Sequence, residues 1–460
     1  MSEIKYTESQ YRSITLANFE KFDQIKKLPP EKIKEIKVVS QVLPFKSNTY
    51  CVDRLIDWNN YENDPIFVLT FPNREMLEPA DFEAMEKLMD SGADAKAIKE
   101  KANEIRRTLN PHPAGQMQHN LPVHEEEKLD GMQHKYRETI LFFPTQGQTC
   151  HAYCTFCFRW AQFVGMDDLK FATQESAKLR EYLQQHPYTS DVLFTGGDPM
   201  IMKTRFLKAY FEEVAKADTL RTVRIGTKAL AYWPRRWTTD DDAQECLDLF
   251  KQLADQGKHV SIMAHFNHPN ELMTEEVQEA IAAIRSTGAQ IRTQSPVMKN
   301  INDSTEVWAK MWQRQVELGL VPYYFFVARD TGAQRYFEVP LGRAWDIYRN
   351  AYNRVSGLAR TVRGPSMSAS PGKVQVVGVS EIKGEKVFVL NFYQGRKAEW
   401  VGRPFFAKYD AKASWLTDLK PAFGEKEFFY EKELAALYDK DAGWEPNSQA
   451  IPDTSVVSIA

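Results

Sequence analysis

No apolar run in the 460-residue chain approaches the ~20 residues that a bilayer-spanning helix needs. The best candidates, Val321 to Ala328 and Val387 to Phe392, have the length of strands. The opening residues, MSEIKYTESQYRS, are polar and mixed in charge, with no apolar signal core, so a cytoplasmic protein is expected. Net charge is small too: 59 Lys and Arg stand against 62 Asp and Glu, a formal charge of -3. That balance speaks against a general nucleic-acid or membrane-surface binder. Cysteine is scarce, with five residues at Cys51, Cys150, Cys154, Cys157 and Cys246. A secreted disulfide framework would be denser and even in number. Low-complexity tracts are missing, and so are internal repeats beyond an alternation of strands and helices. A wholly disordered chain is excluded by 43% hydrophobic and 26% charged residues. At roughly 150 residues per domain the length suits about three units, or one large α/β barrel with attachments.

Residues 1–110 read as a helical, charged region, with good helix formers from Asp81 to Arg107. Residues 111–138 begin as a polar stretch containing Pro111, Pro113 and Pro122, which is expected to be an extended connection. From residue 139 short apolar runs recur: Thr139 to Phe143, Asp191 to Thr195, Thr222 to Gly226, His259 to Phe266, Gln290 to Val297 and Val321 to Ala328. Amphipathic segments separate them, at Glu175 to Gln185, Arg205 to Ala217, Ala243 to Gln256, Glu275 to Ser286 and Thr305 to Leu318. Strands alternating with helices of this length predict right-handed βαβ units and a parallel sheet over residues 139–345. Six strands are too few to close an eight-unit barrel, which leaves a partial barrel or a doubly wound sheet. Polar residues gather at the ends of these runs, where α/β barrels build active sites. They are the three clustered cysteines, Gly196-Gly197-Asp198, Thr227, His265, Gln294 and Arg329. Residues 346–460 form an extension with a strand at Phe388 to Tyr393 and a helix beginning near Glu433.

The cysteine cluster reads Cys150-His-Ala-Tyr-Cys154-Thr-Phe-Cys157. Three thiolates this close can converge on one metal centre from a single loop. A structural zinc site would usually want four protein ligands, and no second cysteine pair exists. His151 is adjacent to Cys150, which makes joint chelation awkward. An iron–sulfur cube held by three thiolates leaves one iron open for another ligand. Buried free cysteines are the plain alternative. Tyr153, Phe156 and Phe158 interleave the loop and are expected to shield it from solvent.

These cysteine gaps, and the aromatic before the last cysteine, resemble the signature of the radical S-adenosylmethionine superfamily. The Thr195-Gly196-Gly197-Asp198-Pro199 turn resembles its second motif, which meets the methionine amino group. A narrower resemblance, spread over about residues 104–395, is to the lysine 2,3-aminomutase family. It rests on GMQHKY (131–136), DVLFTGGDP, VRIGT, AHFNHPNE (264–271), TQSPVMKNIND (293–303) and VPYY. The resemblance implies an α/β fold: a partial (β/α)6 barrel with a helical N-terminal region and a small C-terminal α+β extension. It implies a [4Fe-4S] cluster on Cys150, Cys154 and Cys157, S-adenosylmethionine and pyridoxal 5′-phosphate.

The resemblance also carries residue roles. Arg159 matches the arginine that holds the substrate α-carboxylate, a task suited to a planar fork. Gly196, Gly197, Asp198, Thr227, His265 and Gln294 match positions lining the S-adenosylmethionine site. Tyr136, in the GMQHKY motif, is expected among the cofactor-binding residues. Lys373, in Ser370-Pro371-Gly372-Lys373, matches the lysine that forms a Schiff base with pyridoxal phosphate. Family chemistry takes a hydrogen from the substrate β-carbon and moves the α-amino group there. The implied partners are a small amino-acid substrate and a reductase, or a flavodoxin- or ferredoxin-type electron donor. No nucleic acid or membrane is expected. Family members often self-associate, and no segment here specifies a homo-oligomer.

The chain departs from lysine-specific members at the distal end of the substrate. Two aspartates would hold a lysine ammonium. Arg329 stands at one of those positions, with Asp330 one place off, and Ala369 stands at the other. A cation at that depth suits an acidic side chain such as glutamate. The expected activity is an aminomutase on a free amino acid, with lysine the default that the family implies and an acidic amino acid its rival. A branch making β-lysine for attachment to a translation elongation factor, a pyridoxal-independent radical enzyme of the same fold, and a non-catalytic iron–sulfur protein are the competing readings.

Overall fold

The computed structural model describes residues 10–110, 120–124, 127–164, 172–174 and 176–438. Two short antiparallel pairs come first in the chain. Strand β1 (Ser13–Thr15) pairs with β2 (Lys46–Asn48), and β3 (Val123–His124) with β4 (Glu127–Lys128). The remaining strands are β5 (Met132–Tyr136), β6 (Thr139–Phe142), β7 (Asp191–Phe194), β8 (Thr222–Thr227), β9 (His259–His265) and β10 (Gln290–Val297). They continue as β11 (Val321–Val327), β12 (Arg363–Ser368), β13 (Gly372–Ile382), β14 (Glu385–Gly395) and β15 (Phe405–Lys408). All of β5 to β15 lie side by side in sequence order in one 11-stranded sheet. Every pairing from β6 to β12 is parallel, and β5 and β13 to β15 join antiparallel. The edges β5 and β15 do not pair with each other, so the sheet is open.

Each expected apolar run from Thr139 to Ala328 is a strand, and each expected amphipathic segment between residues 175 and 318 is a helix. Alternation of side chains explains both faces of the sheet. Phe142 and Phe194 point to one face and meet Tyr210 and Phe211 of helix Thr204–Ala215, with ring centroids 5.4 and 4.9 Å apart. Asp191 and Arg224 fall on the other face, where the Arg224 Nε donates to Asp191 at 2.8 Å. Helix starts are chemically marked. Asp64, Asp94, Thr274 and Ser304 each accept backbone N–H bonds at N-caps.

Four features differ from the sequence expectation. Residues 81–107 form two helices, Pro79–Asp90 and Ala95–Leu109, broken at Gly92, whose φ of 72° suits glycine. The described part of the expected connection at 111–138 contains β3, β4 and β5, and β5 belongs to the main sheet. The boundary expected at residue 345 falls inside helix Leu341–Tyr352. Beyond it, β12 adds a seventh parallel strand. Its sequence, RGPSMS, has no apolar run, and its burial comes from neighbours on both sides. Finally, the N-terminal residues from Ile14 onward share one continuous apolar core with the sheet, and a second core gathers from Val327 to Tyr430. Among the described residues no helix is long and apolar enough to cross a membrane.

Candidate functional site

The loop carrying the three cysteines follows β6 and is braced from the N-terminal region. Tyr153 N–H donates to Lys46 O at 2.7 Å, and Thr155 N–H to Leu69 O at 3.0 Å. Lys46 Nζ donates to Cys150 O at 2.7 Å, while Asn48 Nδ2 and the Tyr11 hydroxyl both donate to His151 O. The three thiols are half-buried and near enough to act on one another. Burial pushes Cys150 well up, helped by Asp198, Cys157 and Cys154, and pushes Cys154 up to about 12. Cys157 is raised by burial as well. As free thiols they are protonated at neutral pH, so a thiolate here needs a cation to hold it. Among the described residues no three His, Cys, Asp or Glu side chains stand close enough to hold a single metal ion. A cube of iron and sulfide takes one thiolate on each of several irons, and three half-buried thiols on one loop, near enough to raise one another, suit that demand. The His151 ring turns edge-on to Tyr11, 5.6 Å between centroids. Phe156 packs on His265 and Phe337, as a shield should, but Phe158 is 47% exposed and does not act as one.

The Gly196-Gly197-Asp198 turn after β7 seats directly on this loop. Gly196 has φ 145°, and a side chain there would strike Gln148. A Cβ on Gly197 would lie 2.5 Å from Thr149 O. Asp198 N–H donates to Thr149 O at 2.8 Å. The Asp198 carboxylate accepts from Thr227 Oγ1 at 2.6 Å, from Lys228 N–H at 2.9 Å and from Met200 N–H at 2.9 Å. Burial nevertheless raises it to about 6. The side chains of Asp198 and Thr227, both expected at a cofactor site, bond to each other and to backbone, tying the ends of β7 and β8 together. Gly197→Ala should force the loop away from the turn, costing about 1–3 kcal/mol as overpacking does. Thermal unfolding and iron retention after reconstitution check this; unchanged values for both would contradict the packing argument.

His265 ends β9 and lies in register with Gln294 on β10. His265 Nε2 is 3.2 Å from Asn267 Nδ2. Behind them is a polar cluster that sequence reasoning missed. Buried Lys228 Nζ donates to Glu271 Oε1 and Asn267 Oδ1, both at 2.7 Å. Asn267 Nδ2 reaches Ser295 Oγ, and Asn302 Nδ2 reaches Asn267 O. Lys228 is adjacent to Thr227, and Glu271 closes the AHFNHPNE segment, so the signal lay inside motifs already singled out.

Arg159 leaves the cysteine loop with its guanidinium 4.3 Å from the Phe143 ring centroid. Its outer nitrogen donates to Gln162 at 2.8 Å, while its Nε is buried with no hydrogen-bond partner among the described residues. Burial lowers it to about 10. A half-satisfied buried guanidinium is a ready carboxylate receptor.

Lys373 stands at the start of β13, in register with Ser368 and Gln394. Its Nζ lies 3.2 Å from Gln394 Oε1, 3.5 Å from the Tyr324 hydroxyl and 5.9 Å from the Tyr136 ring centroid. Burial, then Arg224 and Arg363, lower it to about 7. The short loop before it is clasped by cations: Lys135 Nζ donates to Ala369 O, and Arg396 Nε to Ser370 O at 2.9 Å. Burial and the nearby Arg396, Arg329 and Lys373 hold Lys135 well below the usual lysine range. Arg329 faces Asp330 at 3.5 Å and lies over the Phe158 and Trp415 rings. Asp330 therefore accompanies Arg329.

A cysteine loop of this spacing, seated on a Gly-Gly turn at the ends of parallel strands, agrees with the resemblance to radical S-adenosylmethionine enzymes. No family model matches the chain. A putative L-lysine 2,3-aminomutase from Aquifex aeolicus (strain VF5) is 31% identical over 413 residues, covering 90% of this chain and 96% of the relative. The L-lysine 2,3-aminomutase of Clostridium subterminale is 26% identical over 275 residues, covering 59% of this chain and 63% of that protein. That of Bacillus subtilis (strain 168) is 26% identical over 324 residues, covering 68% and 66%. Among solved structures, anSMEcpe with bound AdoMet and Cp18Cys peptide aligns with a TM-score of 0.35 and 11% identity, covering 47% of this chain and 58% of that one. The chain belongs to the lysine 2,3-aminomutase family of radical S-adenosylmethionine isomerases. Membership implies S-adenosylmethionine and an iron–sulfur cluster as cofactors.

Proposed function

We propose that this protein is a pyridoxal phosphate-dependent 2,3-aminomutase whose substrate is an acidic amino acid such as glutamate. The observation that carries the reading is Lys373, a buried amine lowered to about 7 within the same sheet that holds the cysteine loop. In this reading the first six parallel strands, β6 to β11, are a partial (β/α)6 barrel, and the strands from β12 onward belong to a C-terminal extension. When bound, the [4Fe-4S] cluster with S-adenosylmethionine supplies a hydrogen-abstracting radical, and pyridoxal phosphate supplies the aldehyde that holds the migrating amino group. Cys150, Cys154 and Cys157 hold the cluster. Gly196, Gly197, His265 and Gln294 line the sulfonium site, with Asp198 and Thr227 bracing it. Lys373 offers an unprotonated amine near neutral pH, and Tyr136 flanks it. Arg159 receives the α-carboxylate on its unsatisfied Nε edge. The chain's own work is orientation and exclusion of water.

Support for an acidic substrate comes from charge. Arg396, Arg329 and Lys373 each add to the burial that pushes Lys135 down. Arg329 and Arg396 are the permanent cations of that group, and a carboxylate suits them better than a second ammonium would. An electron donor of flavodoxin or ferredoxin type completes the proposal. Product chromatography with glutamate and lysine tests it. Arg329→Asp should lower kcat/KM for glutamate at least about tenfold, as expected for a charged hydrogen bond worth ~1.5–3 kcal/mol. The same change should raise lysine turnover. Wild-type preference for lysine, untouched by the substitution, would defeat the substrate assignment.

A further inference from the structure

We infer that Tyr232 is a positioning residue whose phenol donates a hydrogen bond to the Cys154 thiolate and thereby raises the reduction potential of the cluster on that loop. The inference rests on the cluster assignment proposed above. Tyr232 closes the four-residue helix Ala229–Tyr232 that follows β8, and its side chain is buried. Its hydroxyl oxygen lies 3.7 Å from Cys154 Sγ. Among the described residues the hydroxyl has no other hydrogen-bond partner. The residue is pinned from the other side, where its carbonyl accepts from Asn48 Nδ2 at 2.9 Å. Lys228 Nζ sits 4.4 Å from the phenol ring centroid. That ammonium is anchored by Glu271 and Asn267, so it stays on the ring face.

The direction of the bond follows from chemistry. A free thiol beside a hydroxyl can donate or accept. An iron-bound thiolate carries no proton and can only accept, so the phenol becomes the donor. A cation on the ring face draws electron density from the phenol and sharpens its O–H. Hydrogen bonds to cluster sulfurs are one of the protein's means of setting potential. The reduced cluster holds one more negative charge than the oxidised one, so a donor favours reduction. The couple is a single electron from an external one-electron reductant. No bond is made or broken at Tyr232, whose proton remains on oxygen.

The test is a redox titration with dithionite, followed by electron paramagnetic resonance, on reconstituted full-length protein. Tyr232→Phe keeps the ring and removes the donor. The reduced-to-oxidised ratio at a fixed potential should fall about tenfold, ~59 mV for a one-electron couple. A ring that merely packs would leave the potential where it was. Full cluster content with an unchanged potential in Tyr232→Phe overturns the inference. Should that variant fail to take up iron, 3-fluorotyrosine introduced at position 232 preserves the shape and strengthens the donor. Its potential should rise, and no movement overturns the inference equally. A wild-type protein that forms no cube at all defeats the functional proposal instead, which separates the two failures.

Discussion

Replacing any one of Cys150, Cys154 and Cys157 by alanine should abolish S-adenosylmethionine cleavage and all mutase turnover. Each thiol lies in a buried environment that opposes its ionisation, with Cys154 raised to about 12. A thiolate there needs a bound cation, iron in this reading, and losing one removes both a ligand and the charge balance of the remaining two. The variants should still fold, because the loop is also held by Lys46, Asn48 and Leu69 through backbone hydrogen bonds. Iron and sulfide content, circular dichroism and 5′-deoxyadenosine release measure the three consequences separately. A two-cysteine variant that still cleaves S-adenosylmethionine would sink the cluster assignment. So would a single tetrahedral zinc ion found in the wild-type loop.

The second large effect concerns Lys373. Incubation with pyridoxal phosphate followed by borohydride should leave a pyridoxyl group on the Lys373 peptide, and Lys373→Ala should lose it. With its pKa near 7, the amine is uncharged above that pH and nucleophilic there. Labelling should therefore be half-maximal near pH 7, whereas an ordinary lysine would need pH ~10.4. Stability carries the same signature. The folded pKa is depressed, so between about 7 and ~10.4 the unfolded chain binds the proton that the folded chain rejects. The Lys373 contribution is thus fully unfavourable below about pH 7 and fades as pH rises through that window. Relative to Lys373→Met, the wild type should gain stability on moving from pH ~7 to ~9, as read by urea unfolding. Labelling spread over surface lysines, with no loss in the variant, would contradict the assignment of this residue.

Much of the sheet was legible because its strands carry apolar residues on at least one buried face. Runs such as VPYYFFV and HVSIMAH are continuous apolar segments, and parallel strands require that. The intervening helices carry one apolar stripe each, which reads at a helical period. The strands that escaped notice lack this signal. β12 contains Gly364 and Pro365 among polar residues, and β5 (MQHKY) has a buried histidine and a half-buried lysine. They become strands because the edges of a parallel array need covering, which local composition does not record.

The candidate site divides in the same way. Cys150, Cys154 and Cys157 lie within one short loop, so three ligands and the Gly196-Gly197 turn announce themselves by spacing alone. Residues contributed from far along the chain do not. Lys46 and Asn48 brace the cysteine loop from about a hundred positions away. Tyr232 meets Cys154 across 78 positions, and Lys135 reaches the loop before Lys373 across 234.

What the order of residues determined by itself was the chemistry available: clustered thiols, a glycine turn that admits no side chain, and helices alternating with apolar strands. These are local properties, set by spacing and steric volume. What only tertiary structure decided was the charge state and the company of each group. The amine of Lys373 loses its proton near neutrality, and Asp198 turns inward as a brace, because burial and neighbours from distant strands govern electrostatics. Those neighbours meet only when the sheet is assembled.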